Sequence, residues 1–215
     1  MTQTSRVLGT MLFVRSKFTL TALIVAGLAV VVTRTFIGFV PEISVNASRP
    51  TRFLPLLELV PIVVAVTCIL ATAPRLGDWE RLAGASYRRH SIAAAAACIL
   101  IPQVVLVCSA PAMPDRDPWA WMASNVLVVS AAGVCLAAIA GHVLAAAGTA
   151  VLFGLILVTQ SAIGPDLPWL PVITTGWDPQ PRWPAAALLS LAALCLYAVR
   201  GGSDVLDTRR RHNED

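Results

Sequence analysis

The residues able to do chemistry in this chain are few and widely spaced. Glu58 is the one carboxylate set within an otherwise apolar run, "FLPLLELVPIVV". A charge at a bilayer centre costs about 2.5–3.5 kcal/mol on insertion scales, so a carboxylate kept there needs a partner or a task. Arg52 lies six residues earlier, roughly 9 Å away along a helix. Pro55 and Pro61 flank Glu58 and loosen any helix there. Two roles are open: a polar point lining a substrate path or a dimer seam, or an outer acid paired with Arg34 or Arg52. Asn125 and Gln103 are also polar groups inside apolar runs. Side-chain hydrogen bonds between membrane helices contribute about 0.6–2 kcal/mol each. Asn125 joins Glu58 as a path or seam candidate. His142 suits a solvated or helix-capping place at a turn.

A second group of candidates is compact. "PRLGDWERLAGASYRRH", Pro74 to His90, is the most charged internal stretch of the chain. Asp78 suits a helix N-cap, where its carboxylate accepts from free first-turn amides. Trp79, Leu82, Ala83 and Ser86 then share one helical face. Asp78, Glu80 and Arg81 add charge beside that face, and Arg88, Arg89 and His90 fit a surface of anionic head groups. An apolar stripe flanked by acids fits a partner's groove; the arginines alone are met by a solvated basic loop. A third stretch, Ser161 to Trp183, carries five prolines and three tryptophans. Its composition predicts short broken helices or a re-entrant hairpin at the membrane–water boundary, or a plain interfacial loop. Trp169 and Trp177 are its path candidates.

No motif for hydrolysis, phosphate cradling or metal ligation is found. No catalytic, cofactor-binding or metal-binding residue is therefore nominated. The five cysteines, Cys68, Cys98, Cys108, Cys135 and Cys195, fall in apolar segments without metal spacing. They read as small buried side chains.

The elements that must position these groups follow from composition. Of 215 residues, 57% are hydrophobic and 13% charged, about half the charge of a soluble domain. An integral membrane protein is expected, and no basic clusters interleaved with aromatics point to nucleic acid. Apolar runs of roughly 20 residues cross a bilayer. They occur at about Phe18–Val40, Phe53–Ala73, Ser91–Ala110 and Pro184–Val199. The tract Trp119–Gln160 is long enough for two spans, with a turn expected at Ala140–Val143. The fold class predicted is an all-α membrane protein of six transmembrane helices. With the N-terminus inside, the inner segments hold eleven basic residues and the outer ones five. Both termini are then cytoplasmic, and the 74–90 stretch is an inner loop. Residues 1–17 carry an apolar stripe at helical spacing, which predicts an interfacial helix. Residues 18–200 form the transmembrane domain, and residues 201–215 a polar cytoplasmic tail. Fifteen arginines against one lysine fit a GC-rich bacterial genome and a bacterial cytoplasmic membrane.

This layout resembles the permease subunit of type-2 ABC exporters. The residues that carry the likeness are "APRLGDWERLAG" followed by "SYRRH". In actinobacterial permeases of this kind, an acid-bearing helix followed by arginines ends the second span. "WMASNVLVVSAAGVCLAAIAG" is similar to their fourth span. The resemblance implies a dimer of two permeases, identical or paralogous, with the export path between them. It also implies a separate ATPase that binds the ATP and docks on a coupling helix, here Asp78, Trp79, Glu80, Arg81 and Leu82. Two other layouts share this size and span count: the substrate-binding membrane component of an energy-coupling vitamin importer, and a non-transport membrane scaffold.

Overall fold

The computed structural model describes residues 19–36, 39, 42–43, 52–53, 56–73, 85–112, 119–163 and 181–200. The interfacial helix expected over 1–17, the broken helices expected before the last span and the tail over 201–215 lie outside them.

Six α-helices form the described part: α1 (Thr19–Thr35), α2 (Leu56–Ala71), α3 (Ala85–Ser109), α4 (Trp119–Ala140), α5 (His142–Ile163) and α6 (Trp183–Arg200). A 3₁₀ turn, Ala110–Ala112, ends α3. Between α1 and α2, β1 (Glu42–Ile43) and β2 (Arg52–Phe53) pair antiparallel, with Glu42 opposite Phe53. Each apolar run read from the sequence is a helix. The long tract divides at Gly141, whose φ of 88° is open to glycine and strained for residues with a Cβ. Its N–H still donates to Ala137 and its carbonyl accepts from Ala145, so the chain reverses within one residue. Two boundaries differ by five residues or more: α1 ends at Thr35, five residues before the expected Val40, and α3 begins at Ala85, six residues before the expected span. "SYRRH" is thus the opening of that helix rather than the end of a separate loop. Nothing between Ala85 and the apolar run breaks a helix, since Ser, Tyr, Arg and His all continue one without strain.

Three stretches, Arg89–Ala112, Trp119–Ala140 and His142–Thr159, are long and apolar enough to cross a membrane, and α1, α2 and α6 are shorter apolar helices. At 1.5 Å per residue, the 16 residues of α2 cover roughly 24 Å, against a hydrocarbon core of about 30 Å. Side-chain bonds fix the directions. The guanidinium of Arg34, at the end of α1, donates through Nε (3.2 Å) and Nη2 (2.9 Å) to the carbonyl of Cys108, at the end of α3. That carbonyl belongs to a last turn, which has no helical donor and a negative dipole end. At the same end of the bundle, Ser124 of α4 accepts from the N–H of Arg182, just before α6 (3.2 Å). At the other end, the Tyr197 hydroxyl near the close of α6 lies 3.2 Å from His142 Nε2 at the start of α5. The α1 and α3 ends thus meet, as do the α4 and α6 starts, while α5 and α6 run oppositely. This is an alternating bundle.

Its surface is inverted relative to a soluble helical protein. Leu23 and Leu28 on α1, Val104 on α3, Val143 and Leu155 on α5, and Leu188 on α6 are exposed, whereas Glu58, Asn125, Ser130 and Thr149 are buried. The hydroxyls of Thr33, Thr67, Thr149 and Ser190 each donate to the carbonyl four residues earlier in their own helix. These four hydroxyls thus find their partners within their own helices and need none from water. α4 packs at the centre on small residues: Ala131, Gly133, Ala137 and Ala138 on α4, with Ala145 and Ala146 on α5, are buried. Such residues let backbones approach where lipid supplies no hydrophobic drive between helices.

Candidate functional site

Two apolar clusters fill the bundle. One combines Val64, Cys68 and Ile69 of α2 with Cys98 of α3, Ala131 to Ala138 of α4, and Tyr197 of α6. The other holds Leu57 and Ile62 of α2, Leu106 of α3, Trp121, Met122 and Val126 of α4, and Phe153 and Ile156 of α5. Glu58 and Asn125 sit among the residues of the second.

Glu58 stands in the first turn of α2 and is wholly buried, at 0% exposure. Asn125, at 4%, stands in the second turn of α4. Its Nδ2 donates to Glu58 Oε1 at 3.0 Å. The second oxygen, Oε2, is buried without a hydrogen-bond partner. Two of the four residues nominated from sequence as path or seam positions, Glu58 and Asn125, are therefore brought into direct contact, across 67 residues of chain. Arg34, weighed as a partner for Glu58, is bound to Cys108 instead. The first turn of a helix offers unsatisfied N–H groups and a positive dipole end, which favours an acid at this place in α2.

Pro61 follows three residues later, within α2 and buried. It has no N–H, so the carbonyl of Leu57 lacks its i+4 donor. The helix is thus weakest beside its buried acid. Pro102 repeats this within α3. Gln103, next to it, has a buried Nε2 without a hydrogen-bond partner, so of the two amides suited to bridging helices only Asn125 is seen to do so. Trp121 and Met122 were not singled out in the sequence, although their place one turn before Asn125 marked them as its neighbours.

His142 is half-buried rather than solvated, and packs edge to face on Tyr197, with ring centroids 6.5 Å apart. Tyr197→Phe keeps the ring and removes the hydroxyl contact. It should lower the unfolding free energy in detergent by about 0.6–1.7 kcal/mol. Thermal unfolding followed by intrinsic fluorescence measures this, and an unchanged midpoint would mean that the hydroxyl contributes nothing.

Asp78, Trp79, Glu80, Arg81 and Leu82 lie outside the described residues, as do Trp169 and Trp177. Among the described residues no group of three or more His, Cys, Asp or Glu could hold a metal ion. No family model, no curated protein and no solved structure matches this chain.

Proposed function

We propose that this chain is the membrane-spanning permease subunit of an ATP-driven exporter of the ABC type, in a bacterial cytoplasmic membrane. In this reading all six helices cross the bilayer and both termini are cytoplasmic. Two copies, or this chain and a paralogue, form the path. A separate ATPase supplies the energy and grips the segment between α2 and α3.

The observation that supports it best is the alternating six-helix bundle with an apolar exterior and a polar pair inside. Alternation brings the end of α2 and the start of α3 to the side where the basic residues concentrate. The segment 74–84 then joins two helices on the cytoplasmic side, and α3 runs unbroken from Ala85 to Ser109. A push at its inner end would pass along α3 as far as Pro102, where the helix can bend, into the outer half of the bundle. The docking face is Trp79 and Leu82, with Asp78, Glu80 and Arg81 setting register.

The test is co-purification. A tagged chain expressed from its native operon should bring down a soluble ATPase in equal amount. Trp79→Ala with Leu82→Asp should cut the recovered ATPase at least roughly tenfold, because a desolvated aromatic anchor of an interface commonly contributes 2 kcal/mol or more. A complex and ATPase rate untouched by that pair of changes would refute the docking surface. A chain recovered with no ATPase would refute the exporter.

A further inference from the structure

The geometry points to Glu58 as the recognition point for a hydrophobic cation that carries N–H donors, an amphiphilic amine; this rests on the permease reading and names its substrate class. Four observations converge. Glu58 is a fully buried carboxyl with one oxygen engaged and the other open. An open carboxylate oxygen in apolar surroundings is best satisfied by a charged N–H donor. No Lys, Arg or His of the described residues occupies the halves of α2, α3, α4 or α5 that surround it. The basic groups of those helices, Arg88, Arg89, His90 and His142, stand at the opposite end of the bundle, and Arg34 is taken by Cys108. Arg182, just before α6 at the same end, holds its N–H on Ser124, and its Nη1, like Glu58 Oε2, is buried without a hydrogen-bond partner, so the two are not bonded to each other.

The surroundings suit the rest of such a ligand. Trp121, Met122 and Phe153 belong to the cluster in which the pair sits. Aromatic faces attract cations, and methionine adapts to varied apolar shapes. Access is built in through Pro61, which leaves the first turn of α2 weakly tied to the next. When that turn moves off α4, Glu58 parts from Asn125 and both of its oxygens are uncovered for the ligand.

The experiment uses the full chain in lipid nanodiscs without any ATPase. The probes are ethidium, a flat hydrophobic cation with amine donors, and 6-phenylphenanthridine, its neutral ring. Fluorescence anisotropy should show saturable ethidium binding to the wild type and at least roughly tenfold weaker binding to Glu58→Gln, the usual scale for losing one charge-assisted hydrogen bond. The neutral ring should bind weakly and equally to both. Propranolol, an amphiphilic amine, should displace ethidium from the wild type, a measurement that needs no variant to fold. Equal ethidium affinity in Glu58→Gln, equal affinity of the two probes, or no saturable binding would each overturn the proposal. A chain that recovers an ATPase yet binds no ethidium would sink the cation and leave the permease reading standing. Ethidium binding without a recovered ATPase would do the reverse.

Discussion

Gly133→Leu should abolish the folded bundle, with the protein recovered from detergent as aggregate rather than as a monodisperse peak in size-exclusion chromatography. Three helices meet at this residue. A Cβ built on Gly133 would lie 2.5 Å from Thr149 Oγ1 on α5 and 2.6 Å from Ile69 Cδ1 on α2. Neither atom has an easy retreat. Thr149 Oγ1 donates to the carbonyl of Ala145 at 2.7 Å, so turning the side chain breaks a buried hydrogen bond. Ile69 is 1% exposed and already packed on every side. Even alanine forces the helices apart and should cost about 1–3 kcal/mol, the range for overpacking. Leucine adds three more carbons to a space that does not hold one. Gly154, on α5, is the internal control. A Cβ there meets nothing within 4 Å, so Gly154→Ala should be neutral or stabilise by up to about 1 kcal/mol through helix propensity. If Gly133→Ala and Gly154→Ala behave alike in thermal unfolding, the close approach of α2, α4 and α5 is wrong.

Asn125→Leu is the second large effect. The substitution keeps volume and removes the one donor seen on Glu58. The acid is then left in an apolar cluster with both oxygens unserved, at a cost of about 3 kcal/mol or more. Glu58→Leu together with Asn125→Leu removes both partners and should restore stability to near the wild type, because two apolar groups of similar shape leave nothing unsatisfied. The cycle therefore separates structure from use. A double variant as stable as the wild type, yet without binding or transport, assigns the pair to function. If the single Asn125→Leu variant unfolds like the wild type, the hydrogen bond is not present in the membrane.

Much of the fold was legible because long apolar helices announce themselves by length and composition. The division at Gly141 was visible for the same reason: a largely apolar tract of 42 residues is too long for one crossing, and the only glycine beside a histidine marked the break. The start of α3 was not visible. Helix propensity is indifferent to hydropathy at Tyr87 and Arg88, so an apolar run undercounts a helix that continues past it. Glu58 and Asn125 each stood out as polar residues in greasy runs, but nothing in one sequence says that they touch. Their contact depends on α2 and α4 running in the same direction with small residues between them. The role of Arg34 was hidden for a related reason. Its partner is a backbone carbonyl, and every residue has one, so no residue type at Cys108 could betray it.

The single-residue turn at Gly141 bears on how the protein is made. With α4 ending at Ala140 and α5 beginning at His142, no hydrophilic loop is available to stay on one side while the translocon decides the fate of α4. α4 also carries Ser124, Asn125 and Ser130 on its buried face, which weaken its own case for partitioning into lipid. If both helices cross a bilayer, they therefore enter it as one hairpin. A chain arrested after Ala140 would leave bare the small-residue face of α4 at Gly133 that Thr149 of α5 covers.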